Sequence, residues 1–168
     1  YIGCSNLPSW QVVESQWISK SMGLNRFVSC QDEYNILNRN VEAELIPAMQ
    51  KYGCGLLPYF PLASGLLTGK YKRTEMPEGA RLTDMPTFAN RVYLTDENFD
   101  IVDNLNKFAH KTGHSILELA FGWMASRPTT ASIIAGATKP EQIDANVAAV
   151  NWVLSQSEID EVNKISAR

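Results

Sequence analysis

Short apolar segments alternate along the chain with longer stretches in which hydrophobic residues recur at helical spacing. Four of the short segments read as strands because each is apolar and bounded by glycine, proline or polar residues: residues 1–4, 27–31, 54–57 and 131–135. One or more stretches with apolar positions three or four residues apart follow each strand, which predicts amphipathic helices. The alternation predicts an α/β protein with four parallel strands and helical crossovers.

The helical stretches have recognisable faces and ends. Trp10, Val13 and Trp17 follow helical spacing in the first one, and Gly53 closes the second. Ser155 and Glu158 fit a capping box at the start of an extra C-terminal helix. The predicted helices after the first cover residues 41–52, 98–112, 115–126, about 140–150 and 155–166.

One long stretch departs from this alternation. From Leu66 to Thr95 the sequence is irregular, with glycines and prolines interspersed among basic residues. Loops of this length in a compact domain are usually functional or disordered. We predict an inserted loop over about residues 66–95 in a chain that forms a single unit, residues 1–168.

Four strand–helix units fit two architectures, a doubly wound sheet or part of a (β/α)8 TIM barrel. A complete barrel needs about 250 residues, whereas the chain has 168. The chain therefore has the size of half a barrel. It opens directly in a strand, without an initial methionine or a charged leader, so we expect it to be cut from a longer protein.

The most informative unit is the last strand, its turn and the following helix, from Ala131 to Val150. Thr138 can cap this helix, Pro140 suits its first position, and Glu141 lies in the first turn. Lys139 adds a positive charge where free backbone N–H groups can meet an anion. An ordinary strand-to-helix connection is the alternative interpretation of these residues.

Composition limits the partners and the cellular location. A net charge of -3 argues against a general nucleic-acid surface, and no apolar stretch is long enough to cross a membrane. Cys4, Cys30 and Cys54 lie in apolar segments without metal-ligand spacing. We expect three reduced core thiols in a cytoplasmic protein, with no metal site.

Polar and aromatic residues follow the strands at their carboxyl ends. Ser5 and Asn6 follow the first strand, Gln31 ends the second, and Tyr59 follows the third. These ends open on one face of a barrel, where ligands bind. Each residue also has a simpler interpretation as a turn former, a loop cap or a half-buried ring. Together with the turn at residues 136–139, they favour a site for a nucleotide whose ring carries an amide.

The motifs resemble the C-terminal half of an aldo-keto reductase. The resemblance rests on GCSN at residues 3–6, QDEYN at 31–35, YFPLASGLLTGKY at 59–71 and IIAGATKPEQIDANVAA at 133–149. It is closest to the branch of bacterial general-stress reductases and potassium-channel β-subunits. It implies the second half of a (β/α)8 barrel that binds NADP(H), in a parent protein that reduces aldehydes or ketones.

The same resemblance implies a role for each matching residue. Ser5, Asn6 and Gln31 would bind the nicotinamide carboxamide, and Tyr59 would stack on the nicotinamide ring. The pyrophosphate loop would comprise Leu62, Ser64, Gly65 and Lys70, with Phe60 and Pro61 in the same loop and Arg81 closing over the cofactor. The 2'-phosphate pocket would comprise Thr138, Lys139 and Gln142, preceded by Gly136 and Ala137, with Asn146 near the adenine.

Three positions depart from the family pattern. Ala145 stands where relatives often carry a glutamate that contacts adenine, and Phe60 stands where many have serine. Lys139 binds a phosphate as a point charge, without the bidentate geometry of arginine. We therefore expect a preference for NADPH over NADH, which a lysine supports less strongly than an arginine would.

The family's catalytic Asp, Tyr, Lys and His lie in the first half of the barrel, and no residue of this chain matches them. His110 and His114 fall near helices rather than at strand ends. We therefore predict no catalytic residue and no reductase activity for this chain alone. Three situations fit the sequence: pairing with the missing half, pairing with a second copy, or truncation or proteolysis of a longer protein. The alternatives are an NADP(H)-sensing regulatory module, as in the channel subunits, or an unrelated α/β domain.

Overall fold

A three-stranded parallel sheet organises the structure, a computed structural model that describes residues 1–84 and 92–167. The strands are β1 (Ile2–Ser5), β2 (Phe27–Gln31) and β3 (Gly55–Leu56), in the order β1-β2-β3. Cys30 in the central strand pairs with Cys4 on one side and with Leu56 on the other. Consecutive parallel strands require crossover connections, which helices provide here. The prediction of an α/β protein with a parallel sheet and helical crossovers is confirmed.

The predicted fourth strand is not a strand in the described residues. Residues 130–134 lie beside β3 but form only isolated parallel bridges, between Leu56 and Thr130 and between Tyr59 and Ile134. The ladder stays discontinuous because β3 is two residues long and Pro58, just beyond it, has no N–H to donate. The count of four strands is therefore corrected to three strands and one extended segment.

The extended segment still approaches β3 closely. Leu56 N–H donates to the Thr129 carbonyl at 2.7 Å, and Ala131 N–H donates to the Leu56 carbonyl at 2.8 Å. Gly55 permits this approach, because a Cβ there would lie 2.8 Å from Ala131 Cβ. The segment therefore brings the residues that follow it to the same end of the sheet as the residues that follow β3.

Two helices connect the strands. Helix α1 (Ser9–Met22) joins β1 to β2, and helix α2 (Leu45–Tyr52) joins β2 to β3. Glycines with left-handed φ, Gly23 and Gly53, end them. Helix α2 is shorter than predicted because Pro47 fits only its first turn, so residues 40–42 form a separate 3-10 helix.

The buried face of α1 differs from the face that its tryptophans define. Trp10 and Trp17 are 61% and 57% exposed, whereas Val12 and Gln16 are 1% and 3% exposed. Gln16 Nε2 donates to the Phe27 carbonyl at 2.9 Å, which offsets the cost of burying this amide nitrogen. The spacing of the tryptophans is helical, but the opposite face packs on the sheet.

The predicted loop over residues 66–95 contains short ordered elements. A 3-10 helix covers Ala63–Thr68, Lys72 and Glu75 form a tight turn, and helix α3 covers Arg81–Asp84. Leu82 and Tyr71 are buried, and the Leu82 N–H donates to the Tyr71 hydroxyl at 3.0 Å. Residues 85–91 of the predicted loop lie outside the described residues.

Two long helices pack behind this loop. Helix α4 (Asp96–Lys111) begins with a Thr95 cap, and helix α5 (Ile116–Ala125) begins with a capping box between Ser115 and Glu118. Trp123 of α5 is fully buried, and its ring centroid lies 5.3 Å from that of Tyr34. The core therefore joins the segment after β2 to these helices.

Helices α6 (Pro140–Ala149) and α7 (Gln156–Ile165) complete the described chain. The capping box predicted for Ser155 and Glu158 is present. Trp123 Nε1 donates to Asn163 Oδ1 at 3.1 Å, which connects α7 to the core. No helix in residues 1–84 and 92–167 is both long and apolar enough to span a bilayer.

The three cysteines are free thiols. Cys30 and Cys54 are buried, and Cys4 is half-buried with its Sγ 3.5 Å from Cys30 Sγ. Burial raises the pKa of all three thiols, which keeps them protonated at neutral pH. In the part of the chain that the structure describes, no three His, Cys, Asp or Glu side chains are arranged to hold a metal ion.

Candidate functional site

A chain of hydrogen bonds connects the carboxyl ends of all three strands. Ser5 Oγ donates to the Gln31 carbonyl at 2.7 Å, and Asn6 Nδ2 donates to Ser5 Oγ at 2.8 Å. The Tyr59 hydroxyl donates to Asn6 Oδ1 at 2.8 Å. The four residues predicted to contact a nicotinamide are thus brought together. Ser5, Asn6 and Gln31 are exposed and Tyr59 is half-exposed, so the cluster is open to a ligand.

The backbone at these strand ends adopts an unusual conformation. In the described residues, four non-glycine residues have a left-handed φ: Asn6, Phe60, Ala63 and Ser64, with angles between 47° and 56°. All four lie after β1 or β3. Such conformations are costly and concentrate at functional sites, where the surrounding structure maintains them. The backbone therefore marks the same region as the polar side chains.

The loop after β3 is stabilised by its own backbone. The Ala63 N–H donates to the Phe60 carbonyl at 2.9 Å, and the Gly65 N–H donates to the Leu62 carbonyl at 2.8 Å. Pro61 is buried beneath the loop. Gly65 has a φ of 99°, which favours glycine. The loop predicted to bind pyrophosphate is thus a compact turn whose glycine is required by conformation.

Two basic side chains lie beside this loop. A Cβ added at Gly65 would lie 3.3 Å from Lys70 Cε, so Lys70 packs against the glycine. Arg81 Cζ lies 4.9 Å from the centroid of the Phe60 ring. Both side chains are exposed. The structure therefore brings two positive charges, those of Lys70 and Arg81, to the loop after β3.

The last predicted part of the site follows the extended segment. The Ile134 N–H donates to the Pro58 carbonyl at 2.9 Å, which aligns this segment with Tyr59. Gly136 to Lys139 are exposed beyond it. Gly136 has no left-handed φ, and a Cβ added there would meet no atom within 4 Å, so neither conformation nor packing requires a glycine. Close approach of a ligand to the backbone would explain why this position is a glycine.

The prediction that Thr138 caps the following helix is wrong. The cap position is Lys139, with Pro140 in the first turn as predicted, and no side chain caps the helix. Instead Gln142 Oε1 accepts from the Thr138 N–H at 2.7 Å, so the bond runs from the preceding turn to the helix. The first-turn N–H groups of α6 consequently lack a side-chain cap, as an anion site requires.

Acidic residues beside the cluster were not assigned a role from the sequence. Asp32 is buried, and its burial raises the pKa of the carboxyl group. Burial also raises the pKa of Tyr59, and the charges of Glu33 and Asp32 add to this effect. The Tyr93 hydroxyl donates to Glu33. Asp32 and Glu33 directly follow Gln31, so their position after β2 was the available sequence signal.

The two histidines lie away from this cluster. His114 stacks on Trp152 with ring centroids 3.9 Å apart, and its Nδ1 lies 3.3 Å from Glu118 Oε1. His110 is exposed in the last turn of α4.

Asn146, predicted to lie near adenine, is half-buried and lines a groove of about 430 Å³ between the extended segment and α6.

Comparison with known proteins decides the family. The model of the aldo/keto reductase family matches residues 1–167. The chain belongs to the aldo/keto reductase family. The resemblance inferred from its motifs is therefore confirmed.

Relatives of this aldo/keto reductase chain include proteins named as channel subunits and proteins named as reductases. A probable voltage-gated potassium channel subunit beta from Oryza sativa subsp. japonica is 35% identical over 98% of this chain and 52% of the relative. A putative subunit of the same kind from Schizosaccharomyces pombe is 36% identical over 91% and 45%. The NADH-specific methylglyoxal reductase of Escherichia coli (strain K12) is 36% identical over 76% and 38%. Channel subunits and reductases are thus both represented, as the resemblance predicted.

The chain spans about half the length of the curated relatives it matches.

Proposed function

We propose that this chain is the NADP(H)-binding half of an aldo/keto reductase whose full-length form reduces aldehydes or ketones. The family membership supports an oxidoreductase. The hydrogen-bonded cluster of Ser5, Asn6 and Tyr59 at the strand ends is the observation that carries the proposal, since it presents amide and hydroxyl groups beside an aromatic ring. An amide-bearing ring needs both donors and acceptors, and asparagine carries both.

The proposal includes the fold of a half (β/α)8 barrel over residues 1–168. Apolar side chains are exposed at both ends of the sheet order: Trp10 and Trp17 on α1, and Ile143 and Val147 on α6. Exposed apolar faces of this kind usually mark surfaces that another element covers. We propose that the other half of a barrel, or a second copy of this chain, covers them and also pairs with the open strand edges.

The residues present fit a nicotinamide dinucleotide. Asn6, Ser5 and Gln31 would hold the carboxamide, and the Tyr59 ring would hold one face of the nicotinamide. The cofactor supplies the hydride. The Tyr59 phenol is protonated at neutral pH and donates to Asn6, and burial, which raises its pKa, extends this state to higher pH. This donation fixes the orientation of the Asn6 amide before a ligand arrives.

The phosphates would be held by loops that carry positive charge. Gly65 lets the backbone approach a pyrophosphate, and Lys70 and Arg81 provide charge beside it. At the other corner, Lys139 and the uncapped N-terminus of α6 would hold the 2'-phosphate, with Asn146 near the adenine. A relative is named NADH-specific, so the preference for the 2'-phosphate is a separate question for experiment.

Hydride transfer to a carbonyl also needs an acid that protonates the carbonyl oxygen. We assign that role to no residue of this chain. His114 is engaged by Trp152 and Glu118, away from the strand ends. We therefore propose that the 168-residue chain alone is inactive and depends on groups supplied by the rest of the barrel.

Titration of the full-length protein with NADPH and NADH tests this proposal. Binding should quench tryptophan fluorescence, and oxidation of NADPH should require an added aldehyde or ketone. The same carbonyl should not be reduced by the purified 168-residue chain. Failure of the full-length protein to bind either dinucleotide would refute the proposal, and turnover by the chain alone would refute the missing-acid argument.

A second function is favoured by the names of several relatives. They are called potassium channel β subunits, which supports an NADP(H)-binding regulatory module as the alternative. In that case the full-length protein would bind NADPH without appreciable carbonyl reduction. A comparison of dinucleotide affinity with the turnover number separates the two functions.

A further inference from the structure

Two basic side chains at the candidate site contact aromatic rings and not carboxylates. Arg81 Cζ lies 4.9 Å from the Phe60 ring, and Lys70 Nζ lies 5.1 Å from the Tyr71 ring. Neither forms an ion pair with a carboxylate in residues 1–84 and 92–167. Their positive charges are therefore held in place without being neutralised.

Two other arginines of the described residues bind carboxylates. Arg39 forms a two-point ion pair with Glu42, and Arg73 pairs with Asp96 and Asp100. A guanidinium bound to a carboxylate has its donors occupied and its charge offset. An aromatic face attracts the same cation through its quadrupole and accepts few of its N–H donors. Arg81 is thus arranged to bind an additional anion.

The Phe60 ring is held in a defined position. Its residue has a left-handed φ of 53°, and its carbonyl accepts from Asn35 Nδ2 at 3.0 Å. Asn35 is fully buried. The ring also meets Tyr59 edge-on, with centroids 5.1 Å apart. Phe60 therefore lies between Arg81 and Tyr59, the residue that we propose stacks on the nicotinamide.

The backbone that carries Arg81 is also anchored. Leu82 is fully buried, and its N–H donates to the Tyr71 hydroxyl at 3.0 Å. Thr83 Oγ1 donates to the Pro77 carbonyl at 2.7 Å. The exposed side chain of Arg81 is therefore the part that can change rotamer, and it lies against the Phe60 ring.

We propose that Phe60 is a positioning residue that holds the Arg81 guanidinium beside the loop after β3, ready to bind the pyrophosphate of the dinucleotide. This inference rests on the proposed function and adds a residue to it. Phe60 acts through Arg81, so its contribution to affinity should depend on Arg81 and on the pyrophosphate of the ligand.

Calorimetric titration of the full-length protein tests the dependence on Arg81. Phe60→Leu should weaken NADPH binding about two- to fivefold, the range expected for an exposed cation–π contact. In the Arg81→Ala background the same substitution should have almost no effect. Phe60→Trp, which keeps an aromatic face, should bind NADPH as tightly as the wild type or more tightly.

A second ligand separates positioning from a structural effect. Reduced nicotinamide riboside carries no phosphate, so its affinity should be the same for Phe60→Leu and the wild type. Loss of affinity for both ligands, or equal loss with and without Arg81, would overturn the inference. Should Phe60→Leu not fold, Phe60→Met removes the aromatic face instead: equal loss of NADPH affinity with and without Arg81 would overturn the inference, and a loss that requires Arg81 would support it.

The outcome also distinguishes this inference from the proposed function. If the wild-type protein binds NADPH and Phe60→Leu binds it with the same affinity, only the role of Phe60 is refuted. A wild-type protein that binds no dinucleotide would refute both.

Discussion

Tyr59→Phe removes one hydroxyl and keeps the ring that we propose stacks on the nicotinamide. In the structure this hydroxyl donates to Asn6 Oδ1 at 2.8 Å. A neutral hydrogen bond contributes about 0.5–1.5 kcal/mol net, and the exposure of Asn6 favours the lower part of this range. Without this hydrogen bond Asn6 is less well oriented, and we expect the free energy of NADPH binding to become less favourable by about 0.5–1 kcal/mol. This change corresponds to roughly two- to fivefold weaker NADPH binding.

The assay is a calorimetric or fluorescence titration of NADPH with the full-length protein. Tyr52→Phe is the matched control, because Tyr52 ends α2 at the opposite end of the sheet from the site. Equal affinities for wild type and Tyr59→Phe, or the same loss in the control, would refute the role of the Tyr59 hydroxyl.

The pH dependence of this effect follows from the pKa of Tyr59. Burial raises that pKa above the usual tyrosine value, and the nearby Glu33 and Asp32 charges raise it further. The phenol therefore stays protonated and remains a donor as the pH rises through the range where an ordinary tyrosine begins to ionise. The affinity ratio between wild type and Tyr59→Phe should stay constant from about pH 6 to pH 9. A ratio that falls towards one by pH 9 would contradict the assignment.

Three further substitutions test packing, ligand approach and helix capping. Gly122→Ala should destabilise the protein by roughly 1–3 kcal/mol in urea unfolding, because its Cβ would lie 2.5 Å from the Trp152 carbonyl oxygen; an unchanged midpoint would contradict this. Gly136→Ala should leave the unfolding midpoint unchanged, since no atom lies within 4 Å of the new Cβ, and should weaken NADPH binding; unchanged affinity would remove the reason for the glycine. The Ser155 N–H donates to the Glu158 carboxylate and lowers its pKa from 4.5, so the stability advantage of wild type over Glu158→Gln should be present above about pH 4.5 and lost as the pH falls through the lowered pKa. An advantage that persists at about pH 2 would contradict this sign.

Much of the architecture was predictable because local patterns and tertiary packing agree. Helix α7 begins at the predicted capping box of Ser155 and Glu158, and Gly53 ends α2 as predicted. These features depend on a few neighbouring residues, whose conformational preferences the sequence states directly.

Other features depended on packing that a pattern does not encode. Helical spacing identified the tryptophan face of α1, but the buried face contains Val12 and Gln16, whose amide nitrogen donates to a backbone carbonyl of β2. The apolar run after residue 130 predicted a strand, yet Pro58 interrupts the ladder on its neighbour. The spacing of apolar residues does not show that a neighbouring strand lacks an N–H donor, and it does not show which face of a helix packs on the sheet.

The candidate site was predicted residue by residue through its motifs, whereas its internal contacts were not. The Tyr59–Asn6 hydrogen bond joins residues 53 positions apart in the sequence, and the contact between Phe60 and Arg81 crosses the irregular loop. The Gln142 oxygen accepts from the turn before α6, a contact that the motif does not specify. Motifs can name such residues, but only the fold shows which of them touch.

A crystal structure of the full-length protein grown with NADPH would show whether the strand ends hold the dinucleotide. We expect electron density for the nicotinamide against the Tyr59 ring, with its carboxamide at Asn6 and its pyrophosphate between Lys70 and Arg81. A dinucleotide bound elsewhere, or none bound at saturating NADPH, would contradict the proposed site.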